Sequence, residues 1–202
     1  AAALLPLAYA MLARPTSYNL LRHFIFVLPP LMILAGLGLD RALLLIPPGW
    51  RLAAWGLVAI GLMLPLLRGA QLHPYEYVYF NDISGGVAAA AGRYELDYWG
   101  TSFGELGRNL EASLSRHPDA LGLRPIPARI CGPFETAQAV LPPSLLPVHH
   151  DAPARLAVAI DIFFCVPPAP GDELARVERA GVVLSRAYRT RPDALITSFS
   201  SP

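Results

Sequence analysis

Two carboxylates set among aromatic rings offer the first chemistry in this sequence. Glu76 lies between Tyr75 and Tyr77, and Asp97 precedes Tyr98 and Trp99, all within HPYEYVYFNDISGGVAAAAGRYELDYWG, residues 73–100. Paired carboxylates can share general-acid and general-base work. Aromatic faces suit the C–H patches of a sugar. Tyr75, Tyr77, Asp97, Tyr98 and Trp99 are therefore candidates for sugar or acceptor contact. A structural reading of the same residues carries more weight. Tyr and Trp favour the membrane–water boundary, with the ring in apolar surroundings and its polar edge in water. Asp97 can cap the helix that follows or pair with Arg93. The Gly85–Gly86 pair reads as a tight turn needing positive φ.

Cations supply a second group. Arg14, Arg22 and His23 flank apolar runs, where a guanidinium can grip a lipid phosphate with two parallel hydrogen bonds. Charge on a departing phosphate would be stabilised by such a contact. The plainer role is an interfacial anchor. Tyr18 and Asn19 are close enough in sequence to touch a head group or sugar. His149–His150–Asp151 suggests a metal, but neighbouring residues in a Pro-rich loop rarely converge on one ion, so a solvated loop is expected. Cys131 and Cys165 have no metal-ligand spacing and form no CxxC. Two buried thiols are the expected reading, with a disulfide the alternative if the domain faces an oxidising compartment. No nucleophile-elbow motif supports a Ser-His-Asp triad.

The elements that carry these residues divide sharply. Over the 202 residues, 54% are hydrophobic and only 15% charged, against about a quarter charged in an ordinary soluble domain. The excess apolar content is concentrated in residues 1–67, where Asp40 is the single acid. The net charge of +1 gives no electrostatic case for nucleic acid. All sixteen bases are Arg, which fits a GC-rich coding bias better than selection for guanidinium chemistry.

Residues 1–69 read as transmembrane helices. The opening AAALLPLAYA has neither Met nor a charged start, so residues 1–13 are expected to be a helix truncated at its N-terminal side and the chain a C-terminal fragment of a longer membrane protein. Two full spans are expected at about 22–42 and 51–68, joined by the turn PPGWR. Pro29 and Pro30 should kink the first, which neighbouring helices can tolerate. The second has 16 apolar residues between Arg51 and Arg68, a little short for a bilayer unless both arginines snorkel. Arginine counts do not decide the orientation. Residues 70–100 form an aromatic juxtamembrane collar, and residues 101–202 a small α/β domain. There, Ser102 and Glu105 predict a capping box opening an amphipathic helix over 102–116, with Leu106, Leu110 and Leu114 on one face. Strands are expected at 128–134 and 154–166, the latter central and buried. A short helix follows residue 134, and a closing hairpin turns at Ala180–Gly181.

In this segment HPYEYVYFN, then GG, then YELDYWG resembles the stretch after the last membrane helix of bacterial membrane glycosyltransferases of the dolichyl-phosphate-mannose–protein mannosyltransferase-like group (glycosyltransferase family 39, GT-C fold). YNLLRHFIFVLPPL, residues 18–31, resembles that group's late helix. The resemblance covers residues 14–110 and fits VERAGVVLSRAYR only loosely. It implies a multi-pass enzyme of the bacterial inner membrane that moves a sugar from a polyprenyl-phosphate carrier to an acceptor at the outer face. It also implies a periplasmic or extracellular C-terminal domain. The catalytic carboxylate would lie in a first outer loop that this chain does not contain. No cofactor is identifiable, although the full-length enzyme could use a divalent metal. A non-catalytic, membrane-anchored binding or scaffold module is the alternative. A transporter subunit is weaker, because no charge sits mid-span to mark an ion path.

Overall fold

A computed structural model describes residues 4–14, 20–116, 124–149, 151–161, 165 and 173–190, with side chains described for all of these except 20–23. The chain forms two units, residues 1–63 and residues 64–202.

The first unit is helical. Helix α1 covers Leu5–Ala13 and ends on Arg14 in the left-handed region, φ 43°. A 3-10 helix over Leu20–Val27 leads into α2, Leu28–Leu44. Pro29 and Pro30 do not kink the middle of a span. They occupy the first turn of α2, where the missing N–H groups would have had no intrahelical partner. A turn at Pro48–Trp50 then starts α3, Arg51–Leu72. At its beginning, Arg51 donates from Nε to the Ile46 carbonyl at 3.1 Å. Two segments, Phe24–Leu44 and Pro48–Leu72, are long and apolar enough to cross a membrane. Their side chains are almost wholly unburied, unlike those of a core helix in a soluble protein.

The second of these helices is longer than its apolar run suggests. Arg68, Gly69 and Gln71 extend α3 by a further turn, giving 22 helical residues and a length of about 33 Å. The first residues of the segment read as collar, 70–72, are thus the last residues of α3.

In the second unit the collar is folded. Leu72, Tyr75 and Val78 recur every third residue and all three are buried. That period matches the 3-10 turn at Glu76–Val78. A second turn, Asp82–Ser84, ends at Gly85 with φ 93° and leads into the short helix α4, Gly86–Ala90. The expected glycine turn is therefore present. A Cβ at Gly85 would come within 2.5 Å of the Ala89 Cβ.

The rest is one mixed sheet with helices packed on it. Helix α5 is Phe103–Ser115, followed by β1, Ile126–Cys131; α6, Phe134–Val140; and β2, Leu145–Val148. Strands β3, Leu156–Ile160; β4, Glu173–Arg179; and β5, Val182–Arg189, complete the sheet in the order β2-β1-β3-β5-β4. β1 pairs in parallel with β2 and β3, while β5 runs antiparallel to β3 and β4. The segment expected as a central strand is β3, shorter than predicted. The hairpin turns where expected, with Ala180 at φ 49° and Gly181 at φ 76°, the two-residue geometry that matches strand twist. Phe103, Leu106 and Leu110 bury the apolar face of α5 completely, and the helix contacts β4 and β5. Gly107 lets α5 approach the segment that follows α6, because a Cβ there would meet Pro142 Cδ at 2.5 Å.

Candidate functional site

Asp97 is the centre of the collar, and its surroundings decide what it can do. The residue is completely buried. The Asp97 carbonyl accepts from the Gly100 amide at 2.8 Å, closing a turn in which Gly100 has φ 63°. That turn aims the first amides of the α5 region back at the carboxylate. Oδ1 accepts from the Thr101 amide at 2.9 Å, from the Thr101 hydroxyl at 3.2 Å and from the Tyr77 hydroxyl. Oδ2 accepts from the Ser102 amide at 3.1 Å and from the Ser102 hydroxyl. The Ser102 and Ser185 hydroxyls are 2.6 Å apart, which extends the network into β5. Five donors on one buried carboxylate leave no lone pair facing solvent. Asp97 is thus a cap joining collar, helix and sheet, the first of its two structural readings.

The capping box fails for the same reason. Ser102 precedes α5 but makes no side-chain cap, because its hydroxyl is committed to Asp97 and Ser185. Glu105 does not return to the helix start either. Its Oε2 accepts from Arg179 Nη2 at 2.6 Å and from the Tyr75 hydroxyl at 2.8 Å. Arg179 also donates from Nε to the His73 carbonyl at 2.9 Å, and its guanidinium lies 5.1 Å from the Tyr75 ring centre. Burial works to raise the Glu105 proton affinity, but Arg179 and then Tyr75 outweigh it and hold the carboxyl below its usual range. Burial, with Glu105 adding to it, pushes the Tyr75 hydroxyl well above the ordinary phenol range. Burial and then the Asp97 charge do the same to Tyr77. Both phenols are held as neutral donors.

The predicted site residues therefore separate. Tyr75 is buried and Asp97 enclosed, so neither offers a surface to a sugar. Tyr77 keeps its ring exposed while its hydroxyl is fixed. Tyr98 and Trp99 remain exposed in an edge-to-face pair, centroids 5.1 Å apart. Glu76 is exposed and takes a 2.6 Å contact from His73 Nδ1. Its own backbone hydrogen bond and then His73 lower its proton affinity, which favours the ionised form and weakens it as a base. Arg14 is the exposed C-cap of α1. Arg22 and His23 lie on the 3-10 helix, with side chains outside the described residues; Tyr18, Asn19 and His150 also fall outside them. His149 stacks on Phe134 with centroids 4.0 Å apart.

Ion pairs that the sequence analysis did not predict complete the collar. Arg68 Nε pairs with Asp82 Oδ1 at 3.2 Å, and Arg68 Nη1 donates to Gln71 at 3.3 Å. Sequence offered little signal for either pair: Arg68 reads equally well as a snorkelling anchor, and Arg179 meets Glu105 across 74 residues. The cysteines also differ from the buried-thiol reading, since Cys131 and Cys165 form a disulfide with Cα atoms 5.5 Å apart.

Two open cavities border these residues, with volumes of about 190 and 120 Å³. Both are below the roughly 300–1,000 Å³ usual for small-molecule sites. Among the described residues no group of three His, Cys, Asp or Glu side chains is placed to hold a metal ion. No family model, curated protein or solved structure matches the chain.

Proposed function

We propose that this chain belongs to a membrane glycosyltransferase that moves a sugar from a polyprenyl-phosphate carrier to an acceptor at the outer face of a bacterial inner membrane. On this reading Phe24–Leu44 and Pro48–Leu72 span the bilayer, and the sheet domain is periplasmic or extracellular. The observation that carries the proposal is the ordered motif HPYEYVYFN…GG…YELDYWG placed directly after a long, unburied apolar helix. The disulfide supports an oxidising location for the domain. Arg22 and His23 are assigned to the carrier phosphate, with Arg14 as a further candidate, and exposed Tyr77, Tyr98 and Trp99 to sugar or acceptor contact. Asp97 is assigned no proton transfer, because donors within the chain occupy both of its oxygens.

That saturation also favours a second reading, a membrane-anchored binding or scaffold module without chemistry of its own. One experiment separates the two. In the longer protein that the resemblance implies, Arg22→Ala is expected to lower sugar transfer at least tenfold at limiting carrier, with membrane expression unchanged. Unchanged transfer would remove Arg22 from the phosphate site. No transfer by the unaltered protein from any polyprenyl-phosphate sugar would favour the module.

A further inference from the structure

Ile83 is fully exposed, a costly state for a branched apolar side chain, since burying one is worth roughly 1.5–3 kcal/mol. The exposure belongs to a well-built turn. Asn81 Oδ1 accepts from the Ser84 amide at 2.9 Å, and the Ser84 hydroxyl donates to the Asn81 carbonyl at 2.9 Å. Gly85 closes the turn with φ 93°. The adjacent residue, Asp82, is bridged to Arg68. Arg68 lies four residues before the end of α3, about 6 Å back along the helix. The cavity of about 190 Å³ has Arg68, Gln71 and Leu72 on one wall and Asp82, Gly85 and Gly86 on the other. The turn therefore lies beside the last turns of α3 rather than beyond its end.

We infer that Ile83 is a lipid-dipping anchor, inserted at the head-group and acyl boundary of the same bilayer that α3 crosses. The inference rests on the proposed spanning role of α3. Given that role, the depth of Arg68 places the tip of the turn in the interfacial zone. There the guanidinium snorkels, and the Asp82 carboxylate balances its charge. Lipid is the occupant because the turn is bridged through Asp82 to Arg68 of the helix. The turn is already tethered at the surface, so one apolar side chain suffices where a free protein would need more. The Arg68–Asp82 bridge sets the height of the turn, and Ile83 fastens the collar to the membrane.

The test places a nitroxide label at Ile83→Cys, Leu57→Cys or Leu146→Cys, one at a time. The full chain, with its disulfide intact, is reconstituted in phosphatidylethanolamine–phosphatidylglycerol vesicles. Leu57 is an exposed position on α3, and Leu146 is exposed on the edge strand β2. Collision with oxygen, which concentrates in lipid, is expected to exceed collision with a water-soluble nickel chelate severalfold at 57 and 83, and to fall below it at 146. A lipid signal at 57 with a water signal at 83 would overturn the anchor and leave the spanning helix intact. Shielding of 83 from both reagents would overturn it in favour of a protein contact. A water signal at 57 would overturn the spanning reading and the anchor together.

Discussion

Asp97 shows how one residue type can suggest catalysis in sequence and serve architecture in the fold. A carboxylate is acceptor-only when ionised, and five donors from Tyr77, Thr101 and Ser102 meet it. Changing one oxygen to NH2 turns a partner into a competitor, because an Asn side chain would point two donors at a cluster of donors. Asp97→Asn is therefore expected to destabilise the domain by about 2–3 kcal/mol, the cost of stranding buried polar groups. Urea denaturation followed by circular dichroism measures this; a change below about 0.5 kcal/mol would refute the hub role. The structural role was legible because an Asp a few residues before an amphipathic helix has a local reason to cap it. Glu105 was not. Its position after Ser102 satisfied a local pattern, but a Tyr75 hydroxyl and an Arg179 guanidinium offered stronger partners than a backbone amide.

Between elements, the Glu105–Arg179 pair joins α5 to the end of β4, and Arg179 continues to the His73 carbonyl. Both side chains are about three-quarters covered, with relative exposures of 24% and 23%, so screening by water is reduced. The pH dependence follows from the lowered Glu105 proton affinity. Below the unfolded glutamate value of about 4.3, the unfolded chain binds the proton more readily than the folded one. The contribution is thus present above that pH and is lost as pH falls toward the folded value. Glu105→Gln is expected to lower stability at pH 7 and to flatten the acid limb of stability between about pH 5 and 3. Parallel acid limbs in thermal melts of the two proteins would contradict the assignment. Sequence located the β4–β5 hairpin because its turn is local and its geometry belongs to two residues, Ala180 and Gly181. It missed β2, a four-residue edge strand containing Pro147, whose pairing with β1 depends on the α6 crossover bringing it alongside. It also ended α3 early, since Arg68 and Gln71 stop the apolar run without stopping the helix.

For the whole molecule, the Cys131–Cys165 bridge links a chemical environment to stability. It fastens the end of β1 to the chain after β3, across 34 residues. Hydrophobicity and strand pattern suggested burial of both cysteines, which holds for Cys165 while Cys131 is half-buried, but pairing depended on the parallel register that sets Ala159 opposite Cys131. Closing a loop of that length lowers the entropy of the unfolded chain by an amount worth about 4 kcal/mol. Marginal stability makes such a contribution large, since a domain has only about 5–15 kcal/mol in total. The Cys131→Ser, Cys165→Ser double variant is expected to lose about 3–4 kcal/mol in unfolding of the sheet domain. On the proposed spanning role of Phe24–Leu44 and Pro48–Leu72, which contain neither cysteine, the same variant should still require detergent for extraction from membranes. Denaturant titration followed by a sheet signal, with extraction assayed in parallel, reads the two outcomes separately. A loss under about 1 kcal/mol would show that the bridge constrains little. Release from the membrane without detergent would show that membrane attachment depends on the sheet domain rather than on the helices.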